Sequence, residues 1–184
     1  MTLTETPICN FGEKAKSFDL LSTANKKISL NDIKGKNGTL IMFICNHCPY
    51  VKAVIKDIVK DVKYFETIGI KSAAIMSNDV KNYPEDSFEN MINFSRFHNF
   101  SFSYLFDRTQ ETAKKYGAVC TPDFFGYNKN LELQYRGRIR ELKNLKPAGK
   151  EDSDLNTAMK LIALSGVGPK NQIPSMGCNI KWLK

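Results

Sequence analysis

The sequence of 184 residues has no long apolar run, since no stretch approaches the roughly 20 consecutive apolar residues that a membrane-spanning helix needs. Its first residues, "MTLTETPICNFGEKA", contain neither the basic segment nor the apolar segment of a secretory signal. We therefore expect a chain that does not span a membrane, and a cytoplasmic location is favoured.

Cysteine is scarce and scattered. The five cysteines are odd in number and spread over the whole length, unlike the dense, even pattern of a secreted disulfide scaffold: Cys9, Cys45, Cys48, Cys120 and Cys178. A chain of this length suits one domain, predicted over residues 1–184, that buries its core without disulfides. At least one thiol is free or only transiently paired, so the cysteines are available for chemistry.

The positive charge is not concentrated anywhere. The formal net charge is +8, yet the lysines alternate with acids, as in "KDIVKDVKYFE", and form no basic stripe with interleaved aromatic residues. No nucleic-acid partner is expected. With 42% hydrophobic and 25% charged residues, the composition is that of a soluble globular protein.

The apolar pattern alternates between buried strands and amphipathic helices. "TLIMFIC" at 39–45 is continuously apolar, as in a strand buried on both faces, and apolar residues recur at helical spacing from Pro49 to Phe65. Further elements are predicted as strands at 26–30, 68–76 and 102–107, helices at 88–95, 109–117 and 152–164, and a hairpin at 123–128 and 131–137. This order predicts a three-layer α/β/α sandwich with a mixed sheet.

Two further features concern the ends of elements. Asp107 and Gln110 have the spacing of a capping box for the helix that Gly117 closes. Residues 166–184 carry three glycines and two prolines without periodicity, so an extended C-terminal arm is predicted.

The stretch "FICNHCPYVKAV", residues 43–54, holds the strongest candidate for chemistry. Proline is favoured at the first position of a helix, so Cys48 is expected at the amino end of the helix that Pro49 begins. Unsatisfied N–H groups and the helix dipole there stabilise a thiolate, which makes Cys48 a candidate nucleophile.

The neighbours of Cys48 leave alternatives open. Cys45 forms a C-x-x-C pair with Cys48, but it is equally well read as a small buried side chain. His47 is a candidate for proton transfer. Together, Cys45, His47 and Cys48 offer soft ligands for copper or zinc, which makes a metal-handling protein the alternative function, although His98 is the one other histidine.

Two later stretches also concern the site. Thr121 and Pro122 stand at the head of a predicted strand, where composition alone leaves the bond between them trans. "QYRGRIR" places Arg136, Arg138 and Arg140 at alternate positions, which predicts that they point to one face of a strand.

These motifs resemble a known family. An apolar strand, a cysteine at a helix start and a Thr-Pro before a hairpin are similar to the thioredoxin fold. "FICNHCPYVK", "YPEDSFENM", "YLFDRTQETAKKYGAVCTPDFF", "YRGR" and "GCNIKW" together resemble the peroxiredoxin-like branch of the AhpC/TSA proteins. In that pattern Cys48 matches the peroxidatic cysteine, and Cys45 stands where the family carries threonine. In the thioredoxin pattern Cys48 matches the attacking cysteine, and Val51 stands at the resolving position.

The resemblance implies a thiol oxidoreductase that uses Cys48 for thiol-disulfide exchange or peroxide reduction. The missing threonine favours exchange or slow peroxide reduction over a fast peroxidase. Pro122 resembles the family's cis-proline, and Arg138 or Arg136 is implied to approach Cys48. Cys45, Cys120 and Cys178 are the candidates for the resolving cysteine, and Cys9 has no motif around it.

The same resemblance implies the partners. The substrate is a peroxide or a disulfide, and the reductant is an external thiol such as thioredoxin or glutathione. No cofactor is expected, and a homodimer is left open.

Overall fold

The computed structural model describes residues 3–184. Within this range the strands, labelled β1 to β12 in chain order, are Leu3–Glu5, Asp19–Ser22, Lys27–Ser29, Gly38–Phe43, Ile70–Met76, Ser103–Phe106, Cys120–Thr121, Asp123–Asn128, Leu133–Arg136, Leu142–Lys143, Lys146–Pro147 and Met176–Asn179. The α-helices α1 to α4 are Pro49–Thr67, Phe88–Phe97, Glu111–Tyr116 and Asp154–Ser165, and Pro84–Asp86 form a single 3₁₀ turn. Between residues 3 and 184, no helix is both long and apolar enough to cross a membrane.

Seven strands form the central sheet in the order β3-β2-β6-β5-β4-β8-β9. The inner strands β4, β5 and β6 are parallel to one another. The strands outside them, β2 and β8, join antiparallel to β6 and β4. The sheet is therefore mixed, as predicted, and the end of its central strand β4 leads into the loop that carries Cys45.

The two faces of this sheet are both covered. Along β4 the side chain of Met42 packs in a buried cluster that includes residues of α1, α2 and α4. The next side chain, Phe43, packs in a second cluster that includes residues of α3. Because successive side chains of a strand point to opposite faces, the helices lie on both sides of the sheet. The predicted three-layer α/β/α sandwich is confirmed.

Helix α1 begins where the sequence predicts. Cys48 has an extended backbone conformation and occupies the N-cap position, and Pro49 is the first helical residue. The apolar stripe that runs from Val51 to Phe65 is buried against the sheet. This burial fixes the amino end of α1, and with it Cys48, at the carboxyl edge of the central strands.

The predicted capping box at α3 is wrong. Gln110 has a positive φ of 64° and sends its side-chain amide to the carbonyl oxygens of Ser77 and Lys181. The Asp107 carboxylate instead accepts from the backbone N–H groups of Thr112 and Ala113. The helix start is thus held by Asp107 alone, while Gly117 closes the helix in the left-handed conformation as predicted.

The C-terminal arm contains a strand that the sequence pattern does not indicate. β12 lies between β1 and β7 in a small three-stranded sheet, separate from the central sheet. A strand of four residues that includes a glycine shows no usable alternation, so periodicity misses it. This small sheet lies beside the carboxyl edge of the central strands, next to Cys48.

Candidate active site

The Cys48 sulfur lies in a fully enclosed position at the start of α1. Its residue has no exposed surface. In the protonated state the thiol donates to the backbone carbonyl oxygen of Thr121, at 3.2 Å. The bond between Thr121 and Pro122 is cis, as the resemblance implies and contrary to the trans form expected from composition. The structure thus brings Cys48, Thr121 and Pro122 together.

Cys45 contacts Cys48 directly and determines which of the two sulfurs carries the negative charge. A hydrogen bond from the Cys45 thiol is the largest cause that lowers the pKa of Cys48 to about 5, against the opposing effect of burial. The same bond, together with burial, raises the pKa of Cys45 well above its ordinary value. The pair shares one proton, which stays on Cys45, so Cys48 is the thiolate at neutral pH.

Cys45 also contacts the side chain of Thr121. The Cys45 sulfur lies 3.3 Å from the hydroxyl oxygen of Thr121. Cys45 is 1% exposed, so it is buried as well as in contact with Cys48. Cys45 is thus both a small buried side chain and a contact of Cys48, the two interpretations that the sequence left open.

Two more residues donate to the Cys48 sulfur. The backbone N–H of Val51, in the first turn of α1, is one, as its position at a helix start requires. Cys178 on β12 is the other and contributes through both its thiol and its backbone. Burial, followed by the hydrogen bond to Cys48, raises the pKa of the Cys178 thiol to about 12. The C-terminal arm therefore brings a second thiol into contact with Cys48.

The other two cysteines lie outside this contact. The Cys120 thiol is directed to the carbonyl oxygen of Pro122, at 3.9 Å, and burial raises its pKa far above the ordinary value. Cys9 is half-buried beside the backbone of Arg136 and the side chain of Gln172, and burial raises its pKa to about 11. Neither of them is among the groups that hydrogen-bond to Cys48.

A buried carboxylate, Asp86, organises the loop between β4 and α1. One of its oxygens accepts from the backbone N–H groups of Asn46 and His47, at 2.8 and 3.3 Å. The other lies 2.7 Å from the His47 ring nitrogen Nδ1 and 2.8 Å from the side-chain amide of Asn78. Burial by itself raises the pKa of Asp86, but the bonds from His47 and Asn78 lower it overall.

Asp86 is the site residue that the sequence reasoning missed. It belongs to "YPEDSFENM", which served only to establish the resemblance, and nothing in that stretch indicates a bond to a histidine 39 positions away. The Asp86 hydrogen bond raises the pKa of His47. His47 is thereby held as a cation near the Cys48 thiolate more readily than an ordinary histidine is.

The prediction that the arginines share one face of a strand is wrong. β9 ends at Arg136, whose guanidinium binds the buried Asp123 carboxylate at 2.9 Å. Arg138 binds Asp154 at 2.7 Å and Arg140 binds Asp57 at 3.0 Å. Beyond the end of β9, the N–H of Arg138 donates to the carbonyl oxygen of Ile173 in the C-terminal arm, at 2.8 Å.

The arginines consequently do not account for the low pKa of Cys48. The leading causes are hydrogen bonds from Cys45, Val51 and Cys178. Arg138 lines a cavity of about 180 Å³ together with Tyr50 and Pro122, and Cys48 is not among the residues that line it. Hydrogen bonds therefore lower the pKa of Cys48, which the resemblance attributes to a nearby arginine.

The structure does not bring together the three predicted metal ligands, Cys45, His47 and Cys48. The ligand atoms that come within 4.8 Å of one another belong to Cys45, His47 and Asp86, and Cys48 is not among them. The Asp86 oxygens are already occupied by N–H donors, and the Cys45 thiol is held in the protonated state. His98 lies elsewhere, among the aromatic rings of Phe94, Phe97 and Phe100.

The Cys48 thiolate lies at the first turn of a helix and at the edge of a mixed sheet. It is buried against Thr121, the residue before a proline. This arrangement defines a thiol protein of the thioredoxin-like class. The sequence profile of the AhpC/TSA family matches residues 11–142, well over half of the chain. The chain therefore belongs to the AhpC/TSA family. Among curated proteins no match is found.

Solved structures agree with this assignment. An uncharacterized conserved protein from Geobacillus kaustophilus is 37% identical, with a TM-score of 0.94 over 100% of this chain and 97% of that chain. A hypothetical protein from Sinorhizobium meliloti 1021 is 32% identical, with a TM-score of 0.90 over 98% of each. Peroxidoxin BcpB from Mycobacterium tuberculosis is 13% identical, with a TM-score of 0.61 over 89% of this chain and 100% of that chain, which shows the fold alone. The thioredoxin-like fold is confirmed, and the family supports a thiol oxidoreductase in general.

Proposed function

We propose that the protein is a thiol-dependent oxidoreductase in which the Cys48 thiolate attacks a disulfide sulfur or a peroxide oxygen. The observation that carries this proposal is the set of four donors around one sulfur: the thiols of Cys45 and Cys178 and the backbone N–H groups of Val51 and Cys178. They stabilise a thiolate at neutral pH, and the thiolate is the nucleophilic form of cysteine.

With a disulfide, Cys48 attacks one sulfur and the other leaves as a thiolate with the electron pair of the broken bond. A second thiol then attacks the Cys48 sulfur, releases the bound partner as a thiolate and leaves an internal disulfide. An external thiol such as thioredoxin or glutathione restores the two thiols by the same exchange. No cofactor takes part in these steps.

With a peroxide, Cys48 attacks one oxygen, the oxygen–oxygen bond breaks, and the other oxygen leaves with the electron pair and is protonated. Cys48 becomes a sulfenic acid, which condenses with a second thiol to form a disulfide and water. Cys45 stands where the family carries threonine and offers a thiol in place of a hydroxyl. We therefore favour disulfide exchange or slow peroxide reduction over fast peroxide reduction.

The contacts of Cys48 favour two of the candidates for the second thiol. Cys45 and Cys178 each hydrogen-bond to Cys48, whereas Cys120 is directed to the carbonyl oxygen of Pro122. After stoichiometric hydrogen peroxide, we expect a disulfide that joins Cys48 to Cys45 or to Cys178. Alkylation of the remaining thiols followed by peptide mass spectrometry identifies the bond, and the single variants C45A and C178A tell the two apart. An unmodified Cys48 would remove the nucleophile assignment, and a bond to Cys120 would overturn the preference for the two contacting thiols.

A metal-handling role remains the alternative function. Because Asp86 already accepts N–H donors and Cys45 retains its proton, we expect the reduced protein to retain less than stoichiometric zinc or copper(I) after dialysis. Metal analysis of the reduced protein measures this directly. One retained equivalent that is lost in the D86N variant would instead favour the metal-handling role.

A further inference from the structure

β12 occupies the strand edge that faces the nucleophile. It pairs antiparallel with β7, with Cys178 opposite Thr121 and Asn179 opposite Cys120. Thr121 is the residue whose carbonyl oxygen lies 3.2 Å from the Cys48 sulfur. The thiol of Cys178 in turn hydrogen-bonds to Cys48. The chain therefore presents one of its own cysteines to Cys48 on an extended strand, in the way that a polypeptide substrate would present a thiol.

The fit at this edge depends on one glycine. A Cβ atom at Gly177 would lie 2.0 Å from the carbonyl oxygen of Thr121 and 3.2 Å from the ring of Pro122. The nearer atom belongs to the backbone and cannot rotate away. Any segment seated here in the same register therefore needs glycine immediately before its cysteine.

The strand is not part of the central sheet. On its other side, β12 pairs with β1 from Leu3 to Glu5, and the N–H of Thr6 donates to the carbonyl oxygen of Ser175 at 2.9 Å just beyond that pairing. The flanks are anchored by Ser175, whose hydroxyl donates to the Pro122 carbonyl oxygen at 2.7 Å, and by Ile180, whose N–H donates to Val119 at 3.0 Å. Lifting β12 would leave the seven-stranded sheet intact, but it would break these anchors.

β12 also covers the Cys48 sulfur and so limits the access of substrates to it. Cys48 has no exposed surface and Cys178 is 4% exposed, so β12 must move before a disulfide reaches the Cys48 sulfur. The AhpC/TSA match ends at residue 142, so β12 comes from the part of the chain beyond it. An extended polypeptide adds to a free strand edge through main-chain hydrogen bonds, with side-chain fit giving specificity.

We propose that β12 is the protein's own occupant of a polypeptide-binding edge at Thr121, and that a cysteine-bearing strand with glycine before its cysteine replaces it when Cys48 exchanges disulfides with a protein partner. This inference rests on the proposed role of Cys48 as nucleophile and adds the class of substrate. In the exchange the Cys48 thiolate attacks the cysteine sulfur of the partner strand. The partner's disulfide breaks, its second sulfur leaves as a thiolate, and Cys48 is joined to the partner strand.

The test uses the full chain and two peptides. One peptide has the sequence of residues 173–181, IPSMGCNIK, with its cysteine activated as a mixed disulfide with thionitrobenzoate; the other has valine in place of the glycine. Free dithiobis(nitrobenzoate) serves as the small disulfide. The release of the coloured aryl thiolate gives the rates, and mass spectrometry confirms that Cys48 carries the peptide.

We expect the wild-type chain to react at least about tenfold faster with the glycine peptide than with the valine peptide. In the G177V variant, β12 seats poorly and uncovers Cys48, so the rates with the glycine peptide and with the small disulfide should both rise by about tenfold or more. The wild-type comparison needs no variant and stands even if G177V fails to fold.

Equal rates for the two peptides on a chain whose Cys48 reacts with the small disulfide would overturn the binding edge and leave the nucleophile in place. A Cys48 that reacts with none of the three reagents would overturn both this inference and the proposed function. The two failures are therefore distinguishable in one set of measurements.

Discussion

Replacing Cys48 with serine is expected to lower the rate of disulfide exchange and of peroxide-dependent thiol oxidation by about a thousandfold or more. Serine keeps the size and position of the side chain, but its hydroxyl stays protonated at neutral pH and forms no disulfide. The donors from Cys45, Val51 and Cys178 then have no thiolate to stabilise. The measurement is the rate of product thiol release with a small disulfide, and of peroxide loss with an excess of external thiol.

The matched control is the C9S variant. The Cys9 thiol is half-buried beside Arg136 and Gln172 and does not hydrogen-bond to Cys48. We expect C9S to keep the wild-type rates in both assays. If C48S retained a tenth or more of the wild-type rate, another thiol would be the nucleophile and the proposed function would be wrong.

The second expected result concerns pH. Because its pKa is lowered to about 5, Cys48 should be alkylated at a nearly constant rate as the pH falls from about 8 to about 6, with the rate halved near the pKa itself. An ordinary thiol, with a pKa of about 8.5, would lose most of its rate over the same interval. The rate of iodoacetamide addition to Cys48, followed by peptide mass spectrometry across the pH range, tests this.

Removing the Cys45 thiol should raise the pKa of Cys48. The hydrogen bond from Cys45 stabilises the ionised form and is the largest of the lowering causes, so its loss in C45A favours the protonated form. At about pH 6 we expect alkylation of Cys48 in C45A to be slower by about tenfold or more. At high pH the order should reverse, because a thiolate of higher pKa is the stronger nucleophile.

The C45S variant is the matched control for this shift. Its hydroxyl can still donate to the Cys48 sulfur, so the midpoint should move less than in C45A. Equal midpoints in the wild type and C45A would show that Val51 and Cys178 alone hold the thiolate. A wild-type midpoint near the ordinary cysteine value would remove the thiolate from the mechanism.

At Cys45 the chain departs from the family pattern that its sequence resembles, yet this position still supplies a donor to the Cys48 sulfur. Where the family carries a threonine hydroxyl, Cys45 supplies a thiol that donates to Cys48. Its own sulfur lies 3.3 Å from the hydroxyl of Thr121. The donor is thus retained, and the position gains a group able to form a disulfide.

The elements around Cys48 are predictable from sequence because their signals are local. The apolar run of β4, the helical spacing from Pro49 to Phe65 and the proline itself each involve residues within a few turns of one another. These patterns place Cys48 at a helix start between a buried strand and an amphipathic helix, and the structure confirms that placement. The helix-closing glycine, Gly117, follows an equally local rule and also occurs as predicted.

The partners of these residues are decided by the tertiary structure. Asp86 bonds to His47 across 39 positions, and β12 carries Cys178 from the far end of the chain to Cys48. Arg138 has the alternate spacing that predicts a strand face, yet Asp154 binds it after the strand has ended. The sequence by itself therefore determined the sandwich, the helix start and the position of the candidate nucleophile. Only the packing of distant segments decided which groups contact that nucleophile, because periodicity and capping describe neighbours along the chain and carry no information on which distant segments meet.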